Sequence, residues 1–187
     1  MIAVEAGADA LGFIFVENTP RLISPNAAAE IIKKLPPFVT PVGVFWDHPE
    51  GHVKAVAEAC GLRALQFHGD ETPDDISGYT LPVIKTIKVS GPQDLARMEP
   101  YHRVSAFLLD SASRWSEGEP RQPIEWRLAR MAPGRIILSA GLSPENVARA
   151  ISIARPYAVD VNSGVESRPG RKDPDKVWRF VSEAKRG

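Results

Sequence analysis

The sequence predicts an α/β fold built on a parallel sheet, and three observations carry that prediction. Short apolar runs of strand length alternate with segments of helical period along all 187 residues. The runs show little polar alternation, as strands covered on both faces do. No linker, repeat or low-complexity stretch interrupts the order. Two parallel architectures compete, and the open doubly wound sheet loses ground because no G-x-G-x-x-G follows the first run. The closed alternative is a (β/α)8 TIM barrel, of which seven strands are present. The opening "MIAVEA" reads as the last turns of a helix, so the first strand and most of the first helix are expected to be missing ahead of Met1.

In chain order, Gly7 stops the helix remnant and "ALGFIFV" (10–16) is the first strand of this chain. Ser24 as N-cap and Pro25 at the first helical position open "NAAAEIIKKL". "TPVGVFW" (40–46) is the second strand, "EGHVKAVAEAC" a helix and "ALQFH" (64–68) the third strand. "PDDISGY" is short for a helix. "PVIKTI" (82–87), "SAFLLD" (105–110), "RIILSA" (135–140) and "YAVDVN" (157–162) complete the strands. The helices among them are "PQDLARM", "IEWRLARM", "ENVARAISIA" opened by Ser143-Pro144, and "DKVWRFVSEA" opened by Asp173-Pro174.

With 43% hydrophobic residues the chain can bury a core, and its length suits a single domain over 1–187. Lys and Arg together number 23, as do Asp and Glu, so no bulk positive field attracts nucleic acid or an anionic membrane. An anionic ligand therefore needs a local site. The lone Cys60 in "VAEACGL" excludes an internal disulfide and suits a reducing compartment. It reads as a buried structural thiol, with nucleophile or base as the weaker alternative. No apolar run reaches the roughly 18 residues of a membrane span, and the N-terminus lacks the order of a signal peptide, so the cytoplasm is expected.

In such a barrel the chemistry lies where strands end and βα loops begin. Those points are 17–21, 46–48, 68–70, 85–88, Asp110, 139–141 and 162–164. "SAGLSPENV" and "DVNSGVE" place Gly141, Ser163 and Gly164 in adjacent late loops, where small residues let backbone N–H groups approach a phosphate. The alternative is that these glycines only turn the chain. Asp110 ends the apolar run "AFLLD", where desolvation would raise a carboxyl's pKa and suit proton donation, unless it only caps the next loop. Arg21 in "NTPRLISP" can grip a carboxylate in bidentate fashion or stay solvated. His68 either donates to a ligand or packs at a strand end. The histidines and the cysteine show no metal-ligand spacing, so no metal is expected.

"VEAGADALGFIF", "TPRLISP", "LPPFVTPVGVF", "LQFHGDE", "FLLD", "LSAGLSPENVARAI" and "YAVDVNSGVESRPGRKDPDKV" together resemble the phosphoribosylanthranilate isomerase family, nearly end to end. The resemblance implies a (β/α)8 enzyme of tryptophan biosynthesis that needs no cofactor. Its substrate, N-(5'-phosphoribosyl)anthranilate, undergoes an Amadori rearrangement from aminoaldose to aminoketose. It further implies Asp110 as general acid, Arg21 on the anthranilate carboxylate, and the Gly141 and Ser163-Gly164 loops on the phosphate. Gln66, His68 and Asp160 match further pocket positions. Two departures stand out. The family's general base is a cysteine in a "KICG" motif at the end of its first strand, and nothing here corresponds to it. Cys60 cannot replace it, because its helix leads to the N-terminal end of the next strand. The loop after Asp110 (111–123) carries charges and prolines where the family has a glycine-rich stretch. Two other readings stay open on sequence alone. One is a catalytically impaired phosphate-ligand-binding or interaction module, the other an isomerase of another phosphorylated aminosugar. The expected partner is a small phosphorylated molecule, and both monomer and homodimer are compatible with the sequence.

Overall fold

The computed structural model describes residues 1–111 and 123–186, so the charged loop after Asp110 lies outside the described residues except at its ends. Every apolar run noted above becomes a strand: β1 (Ala10–Ile14), β2 (Thr40–Phe45), β3 (Ala64–Phe67), β4 (Val83–Val89), β5 (Ala106–Ser111), β6 (Ile136–Leu138) and β7 (Ala158–Val159). They form one sheet, hydrogen-bonded in chain order. The registers of β1 on β2, β2 on β3, β3 on β4, β5 on β6 and β6 on β7 are all parallel. The chain divides into two compact units, the first mainly Ala3–Lys85 with His102–Ser105, the second mainly Thr86–Tyr101 with Ala106–Gly187.

In the first unit a short helix, α1 (Ile2–Glu5), stops at Gly7, whose φ of +95° suits glycine. Helix α2 (Pro25–Ile32) begins as its sequence suggests: Ser24 Oγ accepts from the Ala27 N–H at 3.3 Å, with proline at the first position. Helix α3 (Glu50–Cys60) buries Val53, Val56, Ala57 and Cys60, the i, i+3, i+4, i+7 stripe that faces a core. It ends at Gly61, which takes a φ of +70°. Phe45, Leu65 and Phe67 are wholly buried, and the Phe15 and Phe45 rings stack at 5.3 Å. Burying each such side chain contributes about 1.5–3 kcal/mol. Between β3 and β4, the short segment "PDDISGY" does contain a helix, α4 (Pro73–Ser77). Thr72 and Asp75 close a reciprocal capping box that makes so short a helix possible.

In the second unit every residue of β5 from Ala106 to Asp110 is buried. Helix α6 (Val147–Ala154) buries Val147, Ala150 and Ala154 and packs against α7 (Pro174–Arg186), which buries Val177 and Phe180. Asp173 caps α7, its Oδ1 accepting from the Lys176 N–H at 3.1 Å.

Four local expectations need correction. Ser143 does not open α6, because the Asn146 side chain closes the preceding turn: its Oδ1 accepts from Ser143 N–H and its Nδ2 donates to Gly141 O, both at 2.8 Å. The helix therefore starts at Val147. In "IEWRLARM" only α5 (Leu128–Met131) is α-helical, since the carbonyls of Glu125, Trp126 and Arg127 are taken by donors three residues on. "PQDLARM" is a 3-10 helix, Pro92–Met98, tightened by Asp94 Oδ2 accepting from the Ser90 and Gly91 N–H groups. β4 runs to Val89, so positions 85–88 lie within the strand and not after it.

Candidate active site

In the first unit three strand ends carry the expected residues. The chain leaves β1 through Asn18, at a φ of +58°, and returns to it: Ile23 N–H donates to Ile14 O at 3.0 Å, and Leu22 forms a parallel bridge with Ile14. Arg21, half-buried, is held between these anchors, its N–H donating to Thr19 Oγ1 at 3.2 Å. Gln66 and His68 are two residues apart, so they share one face of the extended segment, opposite the buried Leu65 and Phe67. The register of Val44 opposite Gln66 brings Trp46 beside His68, and their rings lie 5.3 Å apart at 31°. Trp46 is 40% exposed and, with Val16, Glu17, Asp47 and His48, lines a cavity of about 460 Å³ at the ends of β1 and β2. A larger groove of about 510 Å³, bounded by Lys54, Arg63 and Tyr79, lies at the other end of β3, away from these residues.

Beneath these loops lies a polar centre that the sequence reading did not identify. Lys85, 3% exposed, donates from Nζ to Glu71 Oε2 and to Gly69 O, both at 2.7 Å. Glu71, 6% exposed, accepts at Oε1 from the Asp47 N–H (2.8 Å) and the Gly69 N–H (3.3 Å). A surface ion pair differs in kind: Lys33 with Glu30 leaves both side chains about two-thirds exposed and contributes ~0–1 kcal/mol at most. A signal for the buried pair was available, because a lysine inside the apolar run "PVIKTI" demands a counter-charge.

In the second unit Asp110, 3% exposed, sits one residue before the end of β5, its Oδ1 accepting from the Ser111 N–H at 2.9 Å. Asp160 follows β7, its N–H donating to Leu138 O at 2.8 Å. The Ser139 hydroxyl donates to Asp160 Oδ2 at 3.1 Å, so the ends of β6 and β7 are joined through side chains. Ala140 and Gly141 take φ values of +64° and +66°, which turns the chain sharply after β6. Ser163, Gly164 and Val165 form a 3-10 turn. A Cβ on Gly164 would run into the Leu142 carbonyl, so the two small-residue loops touch backbone to backbone there. A hairpin of β8 (Glu166–Arg168) and β9 (Arg171–Lys172) follows, and Lys172 Nζ donates back to Asn162 O (2.8 Å), Asn162 Oδ1 (2.5 Å) and Glu166 Oε1 (3.3 Å).

The first unit thus brings Gln66 and His68 together with Trp46, and the second brings together Gly141, Asp160, Ser163 and Gly164. Cys60 joins neither group. It is buried at the end of α3, its Sγ donates to Pro25 O at 3.3 Å, and burial holds its thiol above the ordinary value. Chemically, a guanidinium suits a carboxylate, a buried carboxyl suits proton transfer, and backbone N–H groups at small residues suit a phosphate. Among the described residues no cluster of three or more His, Cys, Asp or Glu forms a candidate metal centre. Among them, too, no helix is long and apolar enough to cross a membrane.

Comparison with known proteins agrees along the length of the chain. The family profile described as "PRAI: N-(5'phosphoribosyl)anthranilate (PRA) isomerase" matches residues 1–183. The chain is 50% identical over 188 residues to an N-(5'-phosphoribosyl)anthranilate isomerase from Geobacter sp. (strain M21), covering 100% of this chain and 92% of the relative. One similar solved structure is phosphoribosyl anthranilate isomerase from Thermotoga maritima, with a TM-score of 0.90, 38% identity, and 100% and 92% of the two chains covered. Another is a crystal structure of such an isomerase in complex with reduced 1-(o-carboxyphenylamino)-1-deoxyribulose 5-phosphate. Its TM-score is 0.88, again at 38% identity over 100% and 92% of the two chains.

Proposed function

The chain belongs to the N-(5'-phosphoribosyl)anthranilate isomerase family, and from that premise we propose how its residues divide the work. The reaction is the isomerisation of N-(5'-phosphoribosyl)anthranilate to 1-(2-carboxyphenylamino)-1-deoxyribulose 5-phosphate in tryptophan biosynthesis. Asp110 is the general acid. It gives its proton to the furanose ring oxygen as the C1'–O bond breaks, and the anilino nitrogen's lone pair forms the Schiff base. A general base then removes the C2' proton, and the resulting enolamine tautomerises to the ketone. Arg21 binds the anthranilate carboxylate. The loops at Gly141 and Ser163-Gly164 bind the phosphate, with Asp160 oriented by Ser139 at their base. Gln66 and His68 line the same substrate's pocket.

The observation that carries this reading is the burial of Asp110 at a strand end within β5. Turnover of phosphoribosylanthranilate by the wild-type chain and by Asp110→Asn tests it. General-acid catalysis contributes about 10²–10⁴-fold, so Asp110→Asn falls by at least two orders of magnitude. Equal turnover would remove Asp110 from the mechanism. Slow turnover in both, with the product analogue still bound tightly, would favour the binding module.

The base is assigned to no residue of this chain, since the only cysteine is buried at the end of α3 and bonded to Pro25 O. We infer that a strand alongside β1, the sheet's terminal strand, completes a single (β/α)8 domain and supplies that cysteine, as the family's "KICG" motif does. The DNA upstream of the Met1 codon tests this: an in-frame extension encoding Lys-Ile-Cys-Gly supports it, and a close in-frame stop defeats it. The cytoplasm suits such an enzyme, whose chemistry needs neither a metal nor an organic cofactor.

A further inference from the structure

We infer that Glu71 and Lys85 are positioning residues, a buried ion pair whose task is to hold the two loops that present Trp46 and His68 to the aryl part of the ligand. Three independent features meet at this point. First, both charged groups are almost fully buried, and four bonds tie them to these loops and to each other: Oε1 to Asp47 and Gly69 N–H, Oε2 to Lys85, and Nζ to Gly69 O. Second, Asp47 holds a φ of +50°, a conformation that a side-chain-bearing residue keeps only when its surroundings over-determine it. Its N–H is fixed by Glu71, and its own Oδ1 accepts from the Asp70 N–H at 2.7 Å, so the two loops are cross-bonded in both directions. Third, a Cβ on Gly69 would collide with the Asp47 carboxylate, so the loops pack at glycine distance. Trp46 precedes Asp47 and His68 precedes Gly69. The ring pair at 5.3 Å therefore stands on this frame, and its Trp46 member lines the cavity at the ends of β1 and β2.

Stability alone does not account for the arrangement. Replacing a buried ion pair by apolar residues of similar volume is often neutral or stabilising. A charged pair in this place is instead accounted for by the geometry it imposes on three backbone groups, the Asp47 N–H, the Gly69 N–H and the Gly69 carbonyl. The ligand assignment rests on the isomerase reading above, whereas the loop ordering does not, and the experiment separates them.

The variant Glu71→Met/Lys85→Met keeps the volume and removes both charges. Two readouts are taken: amide hydrogen exchange at Asp47, Gly69 and Asp70, and calorimetric binding of two probes. The probes are reduced 1-(o-carboxyphenylamino)-1-deoxyribulose 5-phosphate and ribose 5-phosphate, which lacks the aryl ring. The expected result is a folded protein whose protection at Asp47 and Gly69 falls at least tenfold while Leu65 and Leu109 are unchanged. Affinity for the aryl probe falls about tenfold and that for ribose 5-phosphate stays the same. Glu71→Gln in the Lys85→Met background retains one acceptor oxygen for the Asp47 and Gly69 N–H groups and restores part of both losses. Unchanged protection and unchanged aryl-probe affinity in the folded double variant would overturn the proposal, as would equal losses for both probes. Lost protection in a protein whose wild-type form binds neither probe would uphold the positioning role and refute the isomerase reading.

Discussion

Cys60 and Tyr79 show how burial settles what a reactive side chain does. Cys60 is 4% exposed, bonded to Pro25 O, and its thiol is pushed up by burial, so at neutral pH it stays protonated. Cys60→Ala is therefore expected to leave turnover within about twofold of wild type and to cost stability of the order seen for small core truncations, ~1 kcal/mol. Iodoacetamide labelling of the native protein is expected to be slow, and rapid labelling with loss of turnover would return Cys60 to the list of bases. Tyr79, packed 5.2 Å from the Phe67 ring, has its phenol pushed up to about 12, first by burial and then by the charges of Glu50, Glu71 and Asp75. The folded state thus holds this proton more tightly than the unfolded state does. Its contribution to stability is complete below the ordinary tyrosine value of about 10 and is lost as pH rises towards 12. Denaturant unfolding between pH 9 and 12 should show a shallower alkaline loss in Tyr79→Phe, and identical slopes would contradict that assignment. At this scale the sequence disclosed placement where position marks it: Asp110 lies buried at the end of an apolar run and Gly164 in a tightly packed small-residue loop. It did not disclose Glu71, whose importance depends on a lysine 14 residues later that no local spacing ties to it.

Helices with a cap and a full apolar stripe were legible, and those without were not. Ser24 and Pro25 announce α2, and Ser24→Ala is expected to cost about 1 kcal/mol in urea unfolding, with activity unchanged. A loss below 0.2 kcal/mol would mean that tertiary packing alone sets where α2 begins. By contrast, Ser143-Pro144 offers the same two signals and fails, because Asn146 reaches back to bond Ser143 N–H and Gly141 O. A cap is thus a competition among polar side chains, and composition alone does not name the winner. The 3-10 segment at Pro92–Met98 has the same cause: one carboxylate, Asp94, gathers the N–H groups of Ser90 and Gly91 and shortens the turn. Strands were easier to find, because a continuous apolar run bounded by polar connections has few alternatives in a parallel sheet.

For the whole molecule, the sheet order places β1 at one end, and β2 is its one strand partner among the named strands of the described residues. The return of Leu22 and Ile23 covers β1 near Ile14, and the stretch from Ala10 is where the strand inferred above would add to the sheet. The contact of Gly164 with the Leu142 carbonyl has a different consequence, one for heredity. The partner of Gly164 is a backbone carbonyl that every residue at 142 carries, so a segment grafted in place of 162–172 meets the 140–146 turn on one condition, glycine at position 164. Recombination through the intervening α6 is therefore limited at this contact by a single residue, although a helix and a strand lie between the two loops.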